Sequence, residues 1–300
     1  MKSRDSLLFW ILGLVWGTSF LWIKIAVSDV SPGVLVAFRA MVASLGLVPV
    51  FLLNKNIKIR KEDIKKHLGD FAFMGFFNIA FPFILIAWAE KHVDSGLASI
   101  INSSTPLSTI IISSFFVKDD RITISKIAGL LTGFSGVILL MSPNIQNGWN
   151  QDLVAQGAIL LATISYSASA VFARKRTQDL SPQVQAFMQL SMGALMMWIF
   201  VIATENPVGF PQKPITWLAF IWLGLLGSSL AYILYFTLLP KIGPTRMTMV
   251  TYIPPLVAVI LGVVFLKETF YWQSIVGAVL VLLGITIVNQ QVLFKPKQNN

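Results

Sequence analysis

The chain has 300 residues, of which 55% are hydrophobic and only 12% charged, and its mean hydropathy is +0.74. That balance excludes a water-facing globular surface. The formal charge of +10 names no partner until the positions of the charges are known, and the lack of cysteine together with two isolated histidines, His67 and His92, excludes disulfides, thiolate metal sites and cysteine nucleophiles.

Crossing a bilayer core takes a helix of roughly 20 apolar residues. Ten such runs are predicted, at 6–27, 33–54, 69–90, 95–117, 124–142, 153–173, 183–204, 215–239, 244–266 and 271–291. The expected fold is therefore an all-α integral membrane protein. With ten spans both termini share one side, and placing them in the cytoplasm puts 18 of the 23 lysines and arginines on the inner face, so the positive-inside rule fits that orientation. The basic excess reads as a topology signal. A nucleic-acid partner is not expected, because no exposed domain gathers the charge.

The halves repeat. An offset of 150 pairs Ser31-Pro32 with Ser181-Pro182 and Ser19 with Ser169, while an offset of 149 pairs Gly75 with Gly224 and Pro106 with Pro255. Five spans is an odd number, so the second copy must enter the membrane upside down. Loop charges agree: six Lys/Arg follow span 2, whereas Lys213 alone follows span 7. The expected organisation is two inverted five-helix repeats, residues 1–148 and 149–300, with a cavity at their interface that opens alternately to either side.

Residues at that interface are sought among polar, aromatic and proline positions deep in the spans. In span 4, NSSTP offers Asn102, Ser103 and Thr105 beside Pro106; in span 9, TYIPP offers Thr251 and Tyr252 beside Pro254 and Pro255. Each proline frees a carbonyl and kinks its helix, which suits a cavity wall, although packing kinks are the alternative. Asn78 and Phe81 in span 3 join this set, with an interhelical hydrogen bond as the other role for Asn78. Trp16 and Tyr166 stand at matched places in spans 1 and 6 and are expected to stack on a solute; interfacial anchoring is the alternative for such residues, but Trp16 lies too deep for a belt. Lys24 and Arg39 lie just inside outer span ends, where snorkelling or pairing with Asp29 or Asp94 accounts for them. No acidic residue falls mid-span; ion coupling would have to use an end-lying group such as Glu90 or His92, and facilitated diffusion stays open.

The WGTSF of span 1, the SPxxxxAFR around Arg39, the LASIINSSTPL of span 4, and FLKETF followed by GAVLVLLGI near the end resemble the EamA-like branch of the drug/metabolite transporter superfamily. The resemblance covers nearly the whole chain in two copies. It implies ten helices, cytoplasmic termini in a bacterial inner membrane, a central cavity lined by helices 1, 3, 4, 6, 8 and 9, and transport without covalent chemistry. The expected activity is export of small neutral or zwitterionic amphipathic metabolites, amino acids or related compounds. A multidrug or nucleobase carrier and a non-transporting scaffold are the alternatives. Partners are a small solute and the lipid bilayer, with a homodimer left open; neither a metal nor a cofactor is expected, and no catalytic dyad marks an intramembrane enzyme.

Overall fold

The computed structural model describes residues 3–54, 61–116, 124–146, 151–242, 247, 249–268 and 272–294. All regular structure among them is helical. The repeat boundary expected at 148 and 149 lies outside the described residues.

Two helices begin in the same way. Ser31 caps α2 (Pro32–Leu53) and Ser181 caps α9 (Pro182–Thr204), each hydroxyl accepting from the amide three residues on, with proline at the first helical position. Proline there has a preset φ and lacks only a donor that has no partner in the first turn, so Ser-Pro is a compact helix start. α1 (Ser3–Val27) and α8 (Gln151–Arg176) are long and uninterrupted. α8 ends in Arg174, Lys175 and Arg176, favourable charges at a helix C-terminus.

The third predicted span is longer than the expected 69–90. α3 (Lys61–Met74) starts in a charged turn, passes through a π-helical segment (Gly75–Ala80) and continues as α4 (Phe81–Ala89). The eighth has the same plan: α10 (Pro214–Ile221), a π-helical segment (Trp222–Leu230), then α11 (Ala231–Ile242). A π-turn releases carbonyls from the i→i−4 ladder, and side chains from other helices take them. Ser165 donates to the Phe77 carbonyl at 2.7 Å, Tyr232 to that of Asn78 at 3.3 Å, and Arg39 to that of Gly227 at 3.4 Å.

Span 4 is discontinuous rather than kinked, and the described part of span 9 passes from a 3-10 turn into an α-helix. α5 (Ser95–Asn102) stops at a turn through Ser103 and Ser104, and Pro106 is the second residue of a new helix, α6 (Thr105–Phe116). A 3-10 turn (Met249–Tyr252) precedes α12 (Ile253–Leu261), with Pro254 and Pro255 in its first turn. The prolines start helices instead of bending them, because a helix N-terminus does not need their missing N–H. α7 (Ile124–Gln146) and α13 (Trp272–Phe294) complete the chain.

Among the described residues, six helical stretches are long and apolar enough to cross a membrane: Arg4–Val27, Pro32–Leu53, Glu62–Ala89, Gln151–Arg176, Pro182–Thr204 and Pro214–Lys241. Shorter apolar helices accompany them. Their outward faces carry large exposed hydrophobic side chains such as Leu52, Leu53, Phe115, Ile202 and Leu256, a surface suited to acyl chains. Small residues set the closest packings. A Cβ on Gly136 would stand 2.6 Å from the Gly277 carbonyl oxygen, and one on Gly284 would stand 2.5 Å from that of Gly129, so α7 and α13 meet backbone to backbone. α2 packs on α9, α1 on α12, and α6 on α8.

Hydrogen bonds tie the helix ends at both faces of the bundle. At one face Asp29 accepts from the amides of Gln212 and Lys213 and from the Thr216 hydroxyl, and Ser31 donates to Glu205 at 2.5 Å. Glu268 accepts from the Ser95 amide and hydroxyl and from the Gly96 amide. At the other, His67 lies between Asp70 and Asp179, which also engage Arg176 and Lys66. The Thr216 hydroxyl, followed by the Lys213 and Gln212 amides, lowers the Asp29 pKa, and Lys66 foremost, then His67, lowers that of Asp179.

Candidate functional site

A cavity of about 130 Å³ lies inside the bundle. Its wall is built from α1 (Trp16, Ser19, Phe20, Ile23), α2 (Arg39), the π-segment and α4 (Asn78, Phe83, Ile86), the α5–α6 break (Asn102, Thr105, Thr109), α8 (Tyr166, Ala170), α11 (Tyr232, Tyr235) and the start of span 9 (Met247, Val250, Thr251, Pro254). The volume is close to the ~150 Å³ of a cavity that takes one benzene molecule. A single ring or a branched aliphatic group therefore sets the size of body it admits.

Sequence spacing runs through this wall. At an offset of 150, Trp16 meets Tyr166 and Phe20 meets Ala170; at 149, Phe83 meets Tyr232, Ile86 meets Tyr235, Asn102 meets Thr251 and Thr105 meets Pro254. Every member of these pairs lines the cavity.

Of the residues expected at the site, Trp16, Asn78, Asn102, Tyr166, Thr251 and Pro254 are brought together on the wall. Others point elsewhere. Phe81 stacks on Phe76 with ring centroids 5.4 Å apart, Ser103 donates to the Ile100 carbonyl, and Pro106 and Pro255 are buried in helix starts. The Tyr252 hydroxyl is buried without a hydrogen-bond partner, off the cavity wall. Asn78 serves the interhelical role as well, its amide donating to Gln189 at 2.8 Å.

The two near-membrane cations do not snorkel or pair as expected. Lys24 donates to the carbonyls of Glu90 and Val93 at 2.7 and 2.8 Å, holding α1 to the turn after α4. Arg39 is 6% exposed and faces the cavity, donating from Nε to Ser228 at 3.0 Å, with its guanidinium 3.9 Å from the centroid of the Phe83 ring. Asp29, one expected partner, is committed to the Gln212–Thr216 turn. Glu90 is fully buried, and neither carboxylate oxygen has a hydrogen-bond partner.

Tyr232 and Tyr235 were not singled out by sequence. With Trp16 they form a mutually packed trio, centroids 6.0 to 6.4 Å apart. Their signal was there to read: they are the offset-149 partners of Phe83 and Ile86, one turn apart and deep within an apolar run. Thr109, on the cavity wall, bonds to Ser167 at 2.9 Å, and Ser108 to Thr163 at 3.1 Å, hydroxyl pairs that fasten α6 to α8.

Helices with apolar outer faces around an aromatic and polar cavity define a multi-span membrane protein with an internal cavity. The profile of the EamA-like transporter family matches residues 5–142 and again 154–290, and the chain belongs to that family. It is 25% identical over 273 residues to an uncharacterized transporter of Archaeoglobus fulgidus, covering 91% of this chain and 94% of the relative. To the uncharacterized inner membrane transporter YedA of Escherichia coli it is 28% identical, covering 84% of this chain and 79% of that one. A solved crystal structure aligns over 97% of the chain and 99% of its own length with a TM-score of 0.70 at 20% identity, a likeness of fold.

Proposed function

We propose that the protein is a secondary carrier of small neutral or zwitterionic amphipathic metabolites, amino acids or close relatives, which it exports from the cytoplasm across a bacterial inner membrane by alternating access. The observation that carries this reading is the cavity wall itself, where aromatic faces and polar groups from helices of both halves surround a space sized for one small solute. Trp16, Tyr166, Tyr232 and Tyr235 hold the apolar body; Asn78, Asn102 and Thr251 bond the polar part. No covalent step is involved.

Rocking access needs two like halves mounted antiparallel, residues 1–148 and 149–300, with ten helices and both termini cytoplasmic. Support comes from the double family match, the paired Ser-Pro caps, the π-segments containing Gly75 and Gly224, and the repeat-related pairs on the wall. Helix contacts also come in matched sets: α1 with α12 answers α6 with α8, and α2 with the second π-segment answers α9 with the first.

The test is counterflow of labelled leucine in liposomes holding the pure protein. Leucine is chosen because its side chain suits the cavity volume. Uptake against preloaded unlabelled leucine is expected, with loss in Asn102→Ala and Tyr166→Ala; equal uptake by empty liposomes and proteoliposomes overturns the reading.

A further inference from the structure

Among the described residues the cavity wall carries one cation, Arg39, and no aspartate or glutamate. Among the described residues no carboxylate lies within ion-pair distance of the Arg39 guanidinium. The groups that do touch it are neutral: Ser228 takes Nε, the Gly227 carbonyl takes Nη2, and Phe83 covers a face. Nη1 donates to none of the described residues. These contacts fix the plane of the guanidinium and leave part of its donor fork open on the cavity side, where arginine pairs best with a planar, two-oxygen anion.

A buried cation with no carboxylate in contact is costly at membrane depth; Glu90, the buried acid whose charge acts on Arg39, makes neither an ion pair nor a hydrogen bond with it among the described residues, and the other nearby cation, Lys24, is occupied by two backbone carbonyls. We infer that the transported solute bears a carboxylate and that Arg39 is the residue that binds it. This rests on the carrier reading above and narrows its substrate class. The same wall shows which part of an amino acid is dispensable: with no acidic side chain among its described residues, it offers an ammonium ion no ion-pair partner, only neutral groups such as Trp16, Tyr232, Tyr235, Asn102 and Tyr166. Carboxylate recognition is therefore required, and amine recognition is not. An amphipathic monocarboxylate meets the site as well as the zwitterion does, and a cationic amine does not.

Four probes that keep the leucine side chain separate the two charges: leucine, 4-methylpentanoate (amine removed), leucinamide (carboxylate neutralised) and 3-methylbutylamine (carboxylate removed). Binding to the purified full chain in nanodiscs is read by titrating tryptophan fluorescence and by the shift in melting temperature. Leucine and 4-methylpentanoate are expected to bind, and the amide and amine about ten- to a hundredfold more weakly, the range that loss of a charged hydrogen-bonded pair produces. Arg39→Gln should bring the two acids down to the level of the amide and leave the amide unchanged. Arg39→Lys, which keeps the charge but not the fork, should fall between. The ligand series on the unaltered protein stands by itself should either variant fail to fold. Equal binding of acids and amide, or an acid preference surviving in Arg39→Gln, overturns the inference and leaves the carrier reading in place. Binding of none of the four, together with no leucine counterflow, overturns both.

Discussion

Removing the Glu268 carboxylate should loosen one face of the bundle by a predictable amount. It accepts from the Ser95 amide at 2.8 Å, the Ser95 hydroxyl at 2.9 Å and the Gly96 amide at 3.2 Å, so it supplies partners to the first turn of α5, where intrahelical acceptors are lacking. Lys267, in the left-handed region at φ 56°, turns the chain so that the carboxylate arrives there. A hydrogen bond to a charged group contributes about 1.5–3 kcal/mol net. Glu268 is half-buried, and water can reach the amides once the carboxylate is gone, so the three bonds together should contribute about 2–3 kcal/mol rather than their sum. For a chain of this size that is a fall of roughly 5 °C in melting temperature in Glu268→Ala, read by scanning fluorimetry of the detergent-purified protein. Glu268→Gln keeps one oxygen for the Ser95 amide but turns a donor toward Gly96, and should lose about half as much. A fall under roughly 1 °C in Glu268→Ala, or a larger fall for Gln than for Ala, would refute the reasoning.

Gly136→Ala should destabilise by about 1–3 kcal/mol, because its Cβ meets backbone of α13, whereas Gly157→Ala in α8, with nothing within 4 Å, should be neutral or gain up to about 1 kcal/mol; paired melting curves check both. Lys267→Gly removes left-handed strain and should cost nothing or raise the melting temperature slightly, whereas a clear fall would show that the Lys267 side chain matters to the turn. Asp29 has a folded-state pKa below its unfolded value, so its contribution is fully present above pH ~4 and is lost as pH falls through the folded value; the melting-temperature gap between wild type and Asp29→Asn should be open at pH 7 and narrow as the pH falls below about 4.

Much of the architecture was legible because lipid imposes two simple demands, length and apolarity. The expected 33–54 and 183–204 match α2 and α9 to within a residue, since Ser-Pro is an unambiguous start. The π-segments could not be read, because an extra residue in a turn leaves apolar composition unchanged while freeing carbonyls that only tertiary partners such as Ser165 and Tyr232 reveal. The break in span 4 and the change of helix type in span 9 stand where proline predicts kinks, as proline alone does not tell whether the helix bends or restarts. At the site, pairing by repeat offset was a better guide than residue type. It picked Trp16 with Tyr166 and would have reached Tyr232 and Tyr235, while type alone favoured Ser103 and Phe81, which bond or stack elsewhere. Arg39 was misjudged because a charge near a span end looks like a snorkelling one; its inward aim is set by Ser228 and Phe83, far away in sequence.

The central claim, two like bundles mounted antiparallel around a shared solute cavity, is tested most directly by thiol labelling. The chain has no cysteine, so single substitutions report without background. Lys65→Cys lies on an exposed part of α3, and a side chain at Gly209 meets nothing within 4 Å. With a membrane-impermeant maleimide applied to intact cells, the account predicts that Gly209→Cys is labelled at once and Lys65→Cys only after the membrane is opened. Labelling of both from the same side would contradict it.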